Sequence, residues 1–146
     1  MKKITLLILV SLIISCTKET EDVNMENYEG RWELVKMTGS ASYTETTGDN
    51  MEWQEYYFFN NDQTFSKTRM RGDSVTTATG TYVFSEEHEF MSNENNEVIA
   101  ELVYDTINPL IGTCYNTRLM ELLYISNGKM ISTWHQCDGP GLEYEK

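Results

Sequence analysis

Hydrophobic and polar positions fall into two regimes along this chain. Residues 4–14 form a nearly unbroken apolar run, preceded by Lys2-Lys3 and followed by Ser15-Cys16. From Gly30 onward the apolar residues come in short stretches instead. Arg31–Thr38, Met51–Phe59, Thr64–Arg71, Ser74–Phe84, Glu97–Tyr104, Thr117–Ser126 and Lys129–His135 are rich in β-branched and aromatic residues and read as strands. Turn chemistry separates them at Asn60-Asn61-Asp62, Gly72-Asp73 and Asn127-Gly128. Asn-Gly is a strong hairpin signal because both residues tolerate positive φ. Ser40–Thr47 reads as a weaker strand, and Glu86–Asn96 as a polar link with room for a short strand around Glu89-Phe90. No window carries a helical stripe. Leu119–Leu123 comes nearest, but Thr117, Tyr124, Ile125 and the Asn-Gly turn favour a strand there.

Seven or eight antiparallel strands follow. Eight strands of about nine residues with seven loops of about five would use about 107 residues, and residues 28–144 offer 117. The expectation is an all-β fold, a small antiparallel up-and-down barrel of about eight strands. A sandwich of the same strands fits the spacing nearly as well.

The N-terminal run is too short to cross a membrane, which takes roughly 20 apolar residues. With its lysines and the small residue after it, it reads as a secretory signal peptide. Ile13-Ile14-Ser15-Cys16 resembles a bacterial lipoprotein lipobox, which implies acylation (palmitate) of Cys16 as the mature N-terminus. An ordinary signal peptide with a chance cysteine is the alternative. The division expected is a leader over 1–15, an acidic tether over 16–27 and one domain over 28–146. The address implied is the bacterial cell envelope, at the outer membrane, held by lipid. The acidic residues of Lys18-Glu19 and Glu21-Asp22 resemble the surface-export signal of Bacteroidetes lipoproteins; a solvated spacer accounts for them equally well.

Charge narrows the partners. Of 11 Lys and Arg, two lie in residues 1–15; the remaining nine face 23 Asp and Glu, a formal charge of −14. Phosphate backbones and anionic headgroups would repel such a chain, so nucleic acid is excluded as a partner and membrane contact falls to the lipid.

Cys16 being taken by lipid, Cys114 and Cys137 remain, and in an oxidising compartment an even pair reads as a disulfide. The competing reading makes Cys114, His135 and Cys137 metal ligands, but it has no C-x₂-C spacing and no clear fourth ligand. A two-residue Asn127-Gly128 turn would place Cys137 opposite Arg118, four residues or about 13 Å beyond Cys114. A disulfide needs Cα atoms about 4.4–6.8 Å apart. Gly112-Thr113-Cys114 is therefore expected to fold back and be stapled to the chain after the last strand, holding residues 138–141 against the barrel.

Gly30-Arg31-Trp32, a G-x-W motif just after the tether, resembles the lipocalin family. Phe59-Asn60-Asn61-Asp62-Gln63-Thr64-Phe65 is similar to the F-x-x-D-G-T-F hairpin of small bacterial lipocalin-like domains, and Gly80-Thr81-Tyr82-Val83-Phe84 to their G-T-Y-x-φ strand. The resemblance implies a barrel whose bottom is closed by Trp32. Gln63 stands where that hairpin has glycine, which points to a longer turn over residues 60–63.

Candidate chemistry is sparse. His88 and His135 lie near no G-x-S-x-G, H-E-x-x-H or C-x-x-C, and the reading is not an enzyme, with no cofactor and no metal. Arg71-Gly72-Asp73 matches an integrin-binding tripeptide, but a hairpin turn favours Gly-Asp for conformation alone. The oxygen-rich loop Asn93–Glu97 lacks calcium-loop spacing.

Trp53, Tyr57 and Phe59 share one strand face, Tyr56 and Phe58 the other. With Trp134 near the last strand's end, the first set is the candidate ligand-binding group. The function expected is a lipid-anchored binding module with a small apolar ligand in the barrel mouth. The alternative is a solidly packed barrel acting as a structural or protein-interaction lipoprotein, since eight strands can be just wide enough for side chains to fill.

Overall fold

The structure is a computed structural model and describes residues 24–39, 44–86, 98–114 and 119–146. Leader, lipidation site Cys16 and most of the tether lie outside the described residues, as do His88, Glu89-Phe90, Asn93–Glu97 and Thr117.

Among the described residues nine strands form one sheet: β1 (Gly30–Thr38), β2 (Glu45–Thr47), β3 (Gln54–Phe59), β4 (Thr64–Arg71), β5 (Ser74–Ser85), β6 (Val98–Tyr104), β7 (Met120–Ser126), β8 (Lys129–Ser132) and β9 (Gly141–Glu145). Short 3-10 turns occupy Met25–Asn27, Gly48–Asn50 and Trp134–Cys137. All pairings are antiparallel, in the order β2-β1-β3-β4-β5-β6-β7-β8-β9, and β9 returns to β1. Eight strands thus close an up-and-down barrel, and β2 is an extra strand outside the ring. The barrel resolves the choice against a sandwich.

The identity of the eighth stave differs from expectation. Of the stretch 40–47 the described residues 44–47 carry the three-residue β2, which stands outside the ring, and the ring is completed by β9. This strand hides in the sequence because it is five residues long and follows Gly139-Pro140, which reads as a loop. Its alternation is nonetheless clean, with Leu142 and Tyr144 buried. A register shift between Leu34 and Lys36 in the β1–β9 ladder rephases β1, so that Leu34 and Met37 both turn inward. On its other edge β1 pairs with β3 through Gly30–Glu33 and with β2 through Lys36–Thr38. The wall splits between β2 and β3, and buried Met51 and Trp53 lie in the segment between them.

The turns behave as their residues dictate. Asn127 and Gly128 both take positive φ, 53° and 78°, and Ser126 pairs with Lys129 across them. The β3–β4 turn runs over residues 60–63, and Gln63 adopts φ 64°, the left-handed conformation for which glycine is suited. Asp62 holds this turn by accepting from the Thr64 amide at 3.1 Å and the Thr64 hydroxyl at 2.6 Å.

At one end, Trp32 is buried and its Nε1 donates to the Tyr28 carbonyl at 2.8 Å, with Tyr28 packed on Phe84 at 5.0 Å between ring centroids. Trp32 closes the barrel there. Above it Phe59 meets Tyr82 edge-on at 4.8 Å, and Phe65 meets Tyr104 at 4.9 Å. Gly80 is required by this packing, since a Cβ there would stand 2.1 Å from the Val103 carbonyl and 2.8 Å from the Phe65 ring.

Candidate functional site

Strand parity carries an unexpected set of side chains into the other half of the lumen. The inward face of β3 is Glu55, Tyr57 and Phe59; of β4, Phe65, Lys67 and Arg69; of β7, Glu121, Leu123 and Ile125. Lys67 and Glu121 have no exposed surface and Glu55 is 2 % exposed. Burial of charge is tolerated when partners are close and lone pairs are used. Here they are. Lys67 Nζ lies 3.1 Å from Glu121 Oε1 and 3.3 Å from Glu55 Oε1, and it donates to the Leu110 carbonyl at 2.8 Å. The Arg69 guanidinium donates through Nε to Glu55 and stacks on Trp53, with Cζ 4.3 Å from the ring centre.

Tyrosines complete the network. Tyr144 donates to Glu55 Oε1 at 2.6 Å, Tyr104 donates to Glu121 Oε2, and Lys67 sits over the Tyr57 ring at 4.7 Å. Burial first, and then the neighbouring carboxylates, pushes all three phenols well above their ordinary range. They are kept as neutral donors. The Tyr57 hydroxyl, Trp53 Nε1 and Arg69 Nη2 are buried and have no hydrogen-bond partner among the described residues. The two acids and two bases balance in formal charge, which removes the net-charge cost of shutting them in.

The segment after β6 covers this end. Asp105 is fastened to β5 through its amide to the Thr79 carbonyl (3.0 Å) and its carboxylate to the Thr79 hydroxyl (2.6 Å). Asn108 Oδ1 accepts from the Leu110 amide at 2.9 Å, turning the chain so that Leu110 enters the core. Two residues on, the Gly112 amide donates to Glu121 Oε1 at 3.3 Å. Cys114 is then bonded to Cys137 with Cα atoms 5.5 Å apart. The expected staple is present, but it lands in the turn between β8 and β9 rather than beyond the last strand, because β8 ends at Ser132 and Gly141–Glu145 forms a further strand. Both sulfurs are used in the bond, so the metal reading of Cys114, His135 and Cys137 is set aside; His135 Nδ1 instead faces the Ser132 carbonyl at 2.8 Å.

Trp53, Tyr57 and Phe59 share an inward face in one core cluster, Tyr57 and Phe59 stacked at 5.9 Å between ring centres, and they are already packed against Arg69, Tyr144 and Tyr82 respectively. Trp134 belongs to the stapled turn, where its ring covers Gly112 and Gly139. On the outer face of β3, Phe58 is 42 % exposed and Tyr56 lies beneath the Arg31 guanidinium at 3.9 Å. Arg71-Gly72-Asp73 does form the β4–β5 turn, with Arg71 paired to Glu52. A groove of about 510 Å³ runs along the outer wall of β1, β7, β8 and β9, lined among others by Lys36, Tyr124, Ile131, His135 and Glu143.

Sequence reasoning missed Glu55, Lys67, Glu121 and Leu110. The signal was parity. Each charged residue stands two positions from an aromatic or aliphatic residue on the same strand face. No family model, curated protein or solved structure matches the chain.

Proposed function

We propose that this chain is a lipid-anchored protein of the bacterial cell envelope whose barrel is a packed interaction module rather than a carrier. One observation carries the choice: Glu55, Lys67 and Glu121 fill the lumen that an apolar molecule would have to occupy. A hydrophobic guest would displace or desolvate a network that is already paired, at a cost of several kcal/mol per uncompensated charge. Recognition then falls to the outer wall and the rims.

The lipid anchor rests on Lys2-Lys3, the apolar run and Ile13-Ile14-Ser15-Cys16. The described chain starts beside the Trp32 end, where Met25 and Tyr28 pack on the core. Residues 17–23 fully extended span at most about 25 Å, so the Trp32 end faces the lipid and the stapled end faces away.

Titration of the folded protein with a fluorescent fatty-acid analogue tests the reading. No saturable uptake is expected, and one-to-one binding quenched by barrel tryptophans would restore the carrier. Cys16→Ala should move the protein from the membrane to the soluble fraction; unchanged detergent partitioning would remove the anchor from the proposal.

A further inference from the structure

A buried ion pair is a poor way to stabilise a barrel, because well-packed apolar residues of similar volume usually do as well or better. What Lys67 and Glu121 achieve is directional. Lys67 donates to a peptide carbonyl, that of Leu110 at 2.8 Å, and Glu121 accepts from a peptide amide two residues on, that of Gly112 at 3.3 Å. Between them the Leu110 side chain fills an apolar socket and is 2 % exposed. The Trp134 ring closes the far side so tightly that a Cβ on residue 112 would come within 2.8 Å of it. A donor for C=O, an acceptor for N–H, a socket and a slab that admits only glycine together make a peptide-recognition site.

We propose that the stapled mouth of the barrel is a binding site for a peptide of the pattern leucine–any–glycine, entering by a turn at the leucine, held in this state by the chain's own Leu110-Ile111-Gly112. The proposal rests on the reading of the barrel as an interaction module and names its partner class, a segment of another protein. The Cys114–Cys137 bond is the latch, since it fixes both the end of the occupying segment and the turn that carries Trp134. Cys137 is exposed and Cys114 partly buried, so a dithiol reductant reaches Cys137 first. Its thiolate attacks Cys137 Sγ, the S–S bond breaks, and Cys114 leaves as a thiolate that takes up a proton. The reductant's second thiolate then displaces Cys137, leaving the reductant as a disulfide and two cysteine thiols in the protein. The occupying segment is then free at its stapled end and competes with an incoming peptide.

The test uses a fluorescently labelled, end-blocked peptide Asn-Pro-Leu-Ile-Gly-Thr and a control with Asp in place of Leu. Anisotropy is read on the oxidised chain, on the chain held in dithiothreitol, and on oxidised Leu110→Ala, with circular dichroism confirming the barrel in each. Peptide affinity should rise at least tenfold on reduction and in Leu110→Ala, and the control should not bind. A reduced, folded barrel that gains no saturable binding, or that takes the control equally well, overturns the site. Should reduction unfold the barrel, Leu110→Ala decides alone, and no gain there is equally fatal. This outcome is independent of fatty-acid uptake by the oxidised protein, which is what would sink the packed-barrel reading.

Discussion

Lys67 Nζ lies 3.1 Å from Glu121 Oε1 with both side chains shut off from solvent, and the carboxylate of Glu55 is 3.3 Å from the same ammonium. Lys67→Met leaves two buried carboxylates whose nearest ammonium is gone. The expected loss is about 3–5 kcal/mol at neutral pH, read as a shift of the urea midpoint. Adding Glu121→Gln should recover part of the deficit, because it removes one of the two carboxylates left without the ammonium. No recovery in the double variant would mean that missing packing, not unpaired charge, is the cause.

Tyr57, Tyr104 and Tyr144 make the barrel sensitive to alkali. Their folded pKa values are raised by burial and by Glu121 and Glu55. A raised value means that their contribution is complete below the unfolded value, about 10, and is lost as the pH climbs from there towards the folded values. Stability should hold to about pH 10 and fall steeply above it. Absorbance of tyrosinate should show these three phenols ionising only as the barrel unfolds; ionisation in the native state would contradict their enclosure.

Gln63 takes a left-handed φ of 64° in the β3–β4 turn. A side chain in that conformation costs about 1–2 kcal/mol that glycine avoids, partly offset by the greater freedom of glycine in the unfolded chain. Gln63→Gly is therefore expected to raise stability by about 0.5–1 kcal/mol in thermal or urea melts. A destabilised variant would show that the Gln63 side chain itself supports the turn.

The staple and the Trp32 plug should be separable. Opening the loop between Cys114 and Cys137, 23 residues apart in sequence, removes about 3 kcal/mol by loop-closure entropy. Trp32→Ala should cost about 3–5 kcal/mol as a large-to-small core change. The two sit at opposite ends of the barrel, so their effects should add to within about 0.5 kcal/mol. A thiol titration of the denatured, unreduced domain that finds Cys114 and Cys137 reactive would remove the staple altogether.

Much of this architecture is written in local chemistry. Alternation set the staves from Arg31 to Ser132, and Asn127-Gly128 set the β7–β8 register, which bars Cys114 and Cys137 from sharing one regular ladder; in the fold both stand outside it. What escaped notice did so for two physical reasons. Leu142 and Tyr144 are two inward residues on a strand too short to show a period, and only ring closure against β1 makes them a stave. Glu55, Lys67 and Glu121 carry charge, which by itself points to solvent, while their neighbours Tyr57, Phe65 and Leu123 commit that face to the interior. Parity decides where a side chain points, and its partners in the fold decide whether a charge can stay there.

Ring closure also has a consequence in time. Glu33 pairs with Glu145 and Thr38 with Gly141, so one whole edge of β1 waits for residues made more than a hundred positions later. Every other stave finds a neighbour from a nearby stretch of chain, but β1 stays half-paired until the last strand has been made. Contacts that distant in sequence are slow to form, and an open strand edge is a hazard while it lasts. During synthesis the barrel is therefore a curled, unsealed sheet until Gly141–Glu145 arrives, and a nascent chain halted just short of those five residues should be the form most prone to aggregate.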